Sequence, residues 1–102
     1  MELGRFFNWL RATEHWDRST IVVTADHGEN LGEHRVYCGH ELLFDETIHV
    51  PLFVKYPEGR GASTTVDFAV GHIDMAQTLA CHYGFSLPGD GKPLEELVQG
   101  RD

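Results

Sequence analysis

The sequence contains no apolar run near the roughly 20 residues that a membrane-spanning helix needs. Its first residues, Met1-Glu2-Leu3-Gly4-Arg5, lack the basic segment and long apolar stretch of a secretory signal, so no signal peptide is expected. Positive charge is scarce: 8 Lys+Arg stand against 16 Asp+Glu, a formal net charge of −8. Nucleic acid is therefore not an expected partner, because its affinity comes mainly from Lys and Arg neutralising phosphates. Cysteine is nearly absent. Cys38 and Cys81 fall in no C-x-x-C spacing, which excludes a local redox pair and a zinc knuckle and leaves two free thiols, at least one of them buried, as the expectation.

What remains is ordinary globular material, 41% hydrophobic and 24% charged over 102 residues. That length suits one domain, 1–102, whose core would bury roughly 60–70% of the unfolded surface. Histidine is the unusual component: there are seven, and His27, His34, His40 and His49 crowd into one polar stretch.

Residues 5–16 place Phe6, Phe7, Trp9 and Leu10 at helical spacing, with polar residues between them. Both Trp9 and Trp16 are expected in the core or at its margin. The β-branched run Thr20-Ile21-Val22-Val23-Thr24-Ala25 shows no alternation and suits a strand covered on both faces, as in a parallel sheet flanked by helices. It stops at Asp26-His27-Gly28. Residues 29–46 read as a long loop with a short helix near Glu41–Asp45, and such loops tend to carry function. Pro51 opens a second strand, Leu52–Tyr56, which ends in a turn at 57–61. Val66, Phe68 and Val70 alternate as in a short strand. Asp74, with Gln77 three residues on, has the spacing of a helix cap, Met75, Ala76, Leu79, Ala80 and Tyr83 form the buried stripe, and Gly84 ends that helix. A last short helix covers Leu94–Val98. This order predicts an α/β fold.

Asp26 and His27 stand where a buried strand ends, the edge at which α/β sheets bind ligands. A carboxylate and an imidazole there can hold a divalent cation, and Gly28 permits the sharp turn that lets neighbouring side chains face one site. Glu29, Glu33 and His34 are further polar groups, read as a solvated charge run. His40 could donate a hydrogen bond to an anionic substrate or protonate a leaving group. His40-Glu41 does not begin a zinc H-E-x-x-H motif, since Phe44 occupies the second histidine position. His49 is read as packing at the strand entrance, His72 as part of the entry turn before Asp74, and His15 and His82 as helix-surface residues.

The order of these segments is more specific than any one of them. Thr20 through His34, containing Ala25-Asp26-His27-Gly28-Glu29, closely resembles a block of the sulfatase family within the alkaline phosphatase superfamily. Gly39-His40-Glu41-Leu42-Leu43-Phe44-Asp45-Glu46-Thr47-Ile48-His49-Val50-Pro51-Leu52 resembles the next block, His72 through Leu79 a helix start of the family, and Gly91 through Gly100 a segment near its end.

The resemblance implies a partial alkaline-phosphatase-like sandwich, mostly a parallel sheet flanked by helices. It implies that the chain is the C-terminal portion of a catalytic domain. Asp26 and His27 would be metal ligands, for calcium in most sulfatases and for manganese or zinc in relatives that cleave phosphonates and phosphates. His40 would be the catalytic and substrate-binding residue. The expected substrate is a sulfate-ester small molecule or glycan. The chain carries neither a C-x-P-S-R nor an S-x-P-x-R motif, so the formylglycine nucleophile and the N-terminal acidic ligands are expected in a preceding part. His49 stands where the family usually has Arg, and Gln77 where it usually has Pro. A phosphodiesterase, phosphonate hydrolase or phosphoglycerol-type transferase of the same superfamily is the alternative enzyme, and a non-catalytic remnant the alternative of another class. Exposed sheet or apolar surface would then favour self-association.

Overall fold

The computed structural model describes residues 2–35, 37–39 and 42–99, with the side chains of Tyr37 and Cys38 outside that description. The chain divides into two compact units, 1–63 and 64–102.

The first unit begins with α1, Glu2–Ala12, whose Leu10 is buried. The helix stops earlier than its apolar spacing predicts. Glu14 takes a left-handed conformation (φ 60°), and a four-residue helix α2, His15–Arg18, follows. Thr13 accounts for part of the break, because its hydroxyl donates back to the Trp9 carbonyl at 2.8 Å and competes with the next helical turn. Trp16 is half-buried, meeting Phe7 edge-on with ring centroids 5.7 Å apart under the Arg11 guanidinium. Trp9 instead lies on the surface, 52% exposed, stacked beside Phe6.

Strand β1, Ile21–Thr24, forms the expected strand, and β4, Leu52–Lys55, forms the second. They pair antiparallel, with Ile21 opposite Lys55 and Val23 opposite Phe53. The expectation of a mostly parallel sheet is thus not met among the described residues, where both strand pairings are antiparallel. An unbroken β-branched run marks a strand; it carries no information on the direction of its neighbour. Ile21, Val23, Phe53 and Lys55 share one sheet face, and with Leu3, Phe7 and Trp16 they line an open apolar cleft of about 390 Å³. Lys55 spans the sheet to α2: its ammonium donates to the Trp16 carbonyl and, at 3.0 Å, to that of Ser19. Both carbonyls lie at the end of α2, where the Trp16 carbonyl also accepts the Ser19 N–H and where a cation is favoured.

The stretch between the strands is more structured than a loop. Asn30–Leu31 (β2) and Tyr37–Gly39 (β3) form a small antiparallel ladder with an irregular register. The turn joining them holds His34 (φ 54°) and Arg35 (φ 61°) in left-handed conformations. Helix α3 spans Asp45–Ile48, four residues later than predicted. Acidic Asp45 and Glu46 occupy its first turn, where the helix dipole favours negative charge.

Gly28 makes the closest approach in this unit. Its N–H donates to the Thr47 carbonyl at 2.7 Å, and a β-carbon at this position would overlap the Glu46 carbonyl oxygen. A side chain here would have to displace main chain, which packing does not absorb cheaply.

In the second unit, residues 66–70 form no strand among the described residues. Helix α4 spans His72–His82. It begins two residues before Asp74, which corrects that residue from cap to third helical position. From there its carboxylate reaches back to accept from the Gly71 N–H at 2.8 Å and from the Lys92 N–H at 2.9 Å. Met75, Thr78 and Ala80 are buried, whereas Ala76 and Tyr83 of the predicted stripe face outward. Thr78 replaces them for a polar reason: its hydroxyl donates to the Asp74 carbonyl (2.7 Å) and accepts from the Leu94 N–H (2.9 Å), the first donor of α5, Leu94–Gln99. Gly84 closes α4 with φ 75°, and the Phe85 N–H reaches the Ala80 carbonyl at 2.8 Å, as a left-handed helix end requires.

Two outcomes follow from these contacts. Gly28→Ala should lower stability by about 1–3 kcal/mol, the scale of an overpacked interior, read as a shift of the tryptophan-monitored urea midpoint. An unchanged midpoint would disprove the close approach. The two backbone donors hold the Asp74 carboxyl below its ordinary pKa, so its contribution is complete above the unfolded value of about 3.9 and is lost as pH falls through the lower folded value. Asp74→Asn should therefore cost about 1 kcal/mol near neutrality, the scale of a lost helix-start interaction. The gap between variant and wild type in amide exchange along α4 should close in acid; a gap independent of pH would refute the role.

Candidate functional site

The site grows from the end of β1. The strand delivers Ala25, the chain bends, and Asp26 and His27 project from the turn with side chains 90% and 41% exposed. Asp26 folds one oxygen back onto the His27 N–H (3.0 Å), an arrangement that fixes the carboxylate against its own backbone. His27 Nδ1 lies 2.8 Å from the Gly28 carbonyl. A carbonyl only accepts, so this contact puts the ring proton on Nδ1 and leaves the lone pair on Nε2. Nε2 and Asp26 Oδ2 lie 3.9 Å apart. The Gly28 carbonyl also holds the His27 pKa above its ordinary value, with partial desolvation opposing and the charges of Asp26 and Glu29 adding to it.

Behind this exposed pair is a polar anchor. Asn30 is fully buried; its Nδ2 donates to the Thr47 hydroxyl at 3.0 Å and to the Gly39 carbonyl at 3.2 Å. Thr47 is also buried and receives the Gly28 N–H on its carbonyl. One residue of α3 thus holds both the Asp26–His27 turn and the start of the ladder. Neither Asn30 nor Thr47 was marked by the sequence as a site residue, since neither falls in an ionisable pattern; the only available signal was an amide following a strand end.

Glu33 and His34 are exposed, as a solvated run requires, and also make specific contacts. Glu33 accepts from the Leu31 N–H at 2.7 Å, and its own N–H and that of Leu31 hold its carboxyl below the usual range. His34 stacks on Phe44 with centroids 3.9 Å apart and sets Nε2 3.4 Å from Glu46. His49 is exposed at the end of α3. His72 is the exposed first residue of α4, His15 is a surface residue against Trp9, and His82 is half-buried against Tyr83. Cys81 is a free thiol, as expected, and it is exposed. His40, the predicted catalytic and substrate-binding residue, lies outside the described residues, as does the side chain of Cys38.

Asp26 and His27 fit a divalent cation as part of a coordination set. Metal–oxygen and metal–nitrogen bonds of roughly 2.0–2.6 Å let donors 3.9 Å apart share one ion. Among the described residues no group of three or more His, Cys, Asp or Glu surrounds such a position. The pair offers two donors of suitable chemistry and no more.

Comparison with known proteins agrees with the order of motifs. The chain is 31% identical over 99 residues to the N-acetylglucosamine-6-O-sulfatase of Bacteroides thetaiotaomicron, covering 95% of this chain and 18% of that protein. It is 42% identical over 95 residues to the multifunctional alkaline phosphatase superfamily protein PehA of Trinickia caryophylli, covering 90% and 18%. It is 31% identical over 100 residues to the extracellular sulfatase SULF-1 homolog of Drosophila melanogaster, covering 96% and 9%. The chain thus spans less than a fifth of the length of each of these relatives. Residues 1–85 match the Sulfatase family, and on that match and these identities the chain belongs to the Sulfatase family.

Proposed function

We propose that this chain supplies part of the metal and substrate site of a sulfuric ester hydrolase, corresponding to the C-terminal portion of its catalytic domain. The observation that carries the reading is the Asp26–His27 pair: two donors of suitable chemistry, 3.9 Å apart, at the end of β1 in a chain of this family. In such a domain β1 and β4 would form part of a larger, mostly parallel sandwich, and the donors would face acidic ligands from outside these residues.

Asp26 and His27 would hold the cation, calcium by resemblance, with manganese or zinc as alternatives. Bound there, it neutralises an anionic ester and stabilises charge that develops in the transition state. The chain's own part is to orient: Gly28 fixes the imidazole through its carbonyl, and the backbone amide of His27 fixes the carboxylate. His40 would hydrogen-bond an ester oxygen and give a proton to the departing alkoxide, which makes the leaving group a neutral alcohol. The nucleophile is not supplied by these 102 residues, which contain neither formylglycine motif.

A second reading keeps the site and changes the ester. The 42% identity to a protein named for the wider alkaline phosphatase superfamily favours a phosphoryl or mixed specificity as the alternative. Self-association through the apolar cleft and the outer edges of β1 and β4 belongs to the same proposal, since Phe53 on that face is 67% exposed. No helix among the described residues is long and apolar enough to cross a membrane.

Titration of the labelled chain with calcium or manganese chloride should shift the Asp26, His27 and Gly28 amides with millimolar affinity, and Asp26→Asn or His27→Ala should abolish the response. A saturating response unchanged by both substitutions would sink the metal assignment. The isolated chain should release no phenol from an aryl sulfate, and measurable turnover that follows the chain through purification would refute the expected absence of a nucleophile.

A further inference from the structure

Thr47 is buried in the four-residue helix α3, and it meets the chain after β1 twice. Its main-chain carbonyl accepts the Gly28 N–H at 2.7 Å. Its hydroxyl accepts from Asn30 Nδ2 at 3.0 Å, and that amide is itself fully buried. One residue therefore grips the chain at Gly28 and again two residues further on. The Gly28 carbonyl, 2.8 Å from His27 Nδ1, stands between the two grips.

The direction of that carbonyl needs fixing, because glycine has no side chain to restrict its own rotation. Held only at its N–H, Gly28 could still turn its carbonyl away from the imidazole. A second anchor at Asn30 removes that freedom. Stability alone does not account for the polar pair that makes this anchor. Valine matches threonine in shape and has no hydroxyl to satisfy when buried. Asn30 Oδ1 is buried with no partner among the described residues, an arrangement unfavourable by roughly 1–3 kcal/mol. What the pair supplies is direction. Nδ2 also donates to the Gly39 carbonyl at 3.2 Å, and turning the amide over would set two acceptors face to face. The amide thus always presents a donor to the Thr47 hydroxyl.

We propose that Thr47 is a positioning residue for His27: its two grips hold the Gly28 carbonyl where it keeps the ring proton on Nδ1 and the Nε2 lone pair available to a divalent cation. The proposal rests on the metal role of His27 in the proposed function. Thr47 is not itself a ligand; it acts through Gly28 and Asn30.

The test uses the whole 102-residue chain, isotopically labelled, with manganese chloride as the metal. At alkaline pH, where the ring is neutral, the ring-nitrogen shifts of wild-type His27 should report the Nδ1–H tautomer. Thr47→Val keeps the carbonyl and removes the hydroxyl. It should raise the Nε2–H population severalfold and, near neutrality, weaken manganese binding at Asp26–Gly28 severalfold. Thr47→Ser restores the hydroxyl and should return both readouts to wild-type values. A wild-type ring protonated on Nε2 overturns the proposal. So does an unshifted tautomer in Thr47→Val, the result expected if the threonine only adds stability. A tautomer shift in Thr47→Ser equal to that in Thr47→Val overturns it as well. Manganese broadening at Asp26–Gly28 with an unshifted tautomer removes the clamp and spares the metal assignment, whereas no broadening in the wild type removes both. Should Thr47→Val fail to fold, the wild type still decides: the Asn30 side-chain amide protons should exchange with water far more slowly than those of a solvated amide, and fast exchange overturns the proposal.

Discussion

The meeting of Gly28 with the backbone of α3 is the contact on which the rest of this site depends. One hydrogen bond, from the Gly28 N–H to the Thr47 carbonyl, joins the end of β1 to a four-residue helix too short to be stable on its own. The absence of a β-carbon lets the two backbones touch. Because the turn is held from behind by main chain, its two side chains are free to project forward, and the imidazole takes its orientation from the next carbonyl along. The buried Asn30–Thr47 contact shares Thr47 with the same junction. A binding turn at a strand end is exposed by necessity; this one is kept in place from its inner side.

Much of the fold was legible because its signals were local. The β-branched run of β1, Pro51 ahead of β4 and Gly84 after α4 each act through the conformation of a few residues, and each element appears where its chemistry places it. What was not legible depended on distant partners. Strand direction and coverage are set by what lies alongside, so a run of Ile and Val could mark the strand but not its polarity, nor that Ile21, Val22 and Val23 are only half-buried where coverage on both faces was expected. The ladder of β2 and β3 was hidden in a charged stretch because its pairing runs through backbone and the Asn30 amide, not through apolar alternation. Asp74 was recognised as a helix-start residue, yet assigned to the wrong position, since a carboxylate reaching back from the third residue leaves nearly the same signature as one in the cap. In the site, Asp26 and His27 could be read from residue type and strand end alone, whereas Asn30, Thr47 and the His34–Phe44–Glu46 cluster required the fold to bring residues ten or more positions apart into contact.

Charge gives the proposed chemistry its shape. A chain of net charge −8 is a poor receptor for an anion by long-range attraction. Near the turn, Asp26, Glu29 and Glu33 add to that field. Several described cations of this unit are engaged elsewhere: Lys55 on the end of α2, Arg11 over Trp16, Arg5 beside Glu2 and Arg60 over Tyr56. The local potential at Asp26 therefore attracts a cation first. Under the proposed reading, a sulfate or phosphate ester would be held there only once that charge was reversed, which a bound divalent ion would do. The acidic composition is in this way compatible with the proposed anionic substrate: the carboxylates that would repel the ester are the groups that would retain its counter-charge.

The exposed apolar cleft fits the same logic at the level of packing. Leu10, Met75 and Ala80 are the only apolar side chains among the described residues that reach full burial, while Phe53, Phe6 and Trp9 are half exposed or more. A sheet of two strands offers little surface to cover such groups, and one of this size is marginal without further layers. The polar anchor beneath the turn is, by contrast, fully enclosed. The Asp26–His27 turn is therefore held through main-chain and amide hydrogen bonds that do not require the apolar face to be covered. A turn at a strand end can be held in place by a chain whose hydrophobic core is incomplete, provided that its fixing contacts are polar and local to the turn.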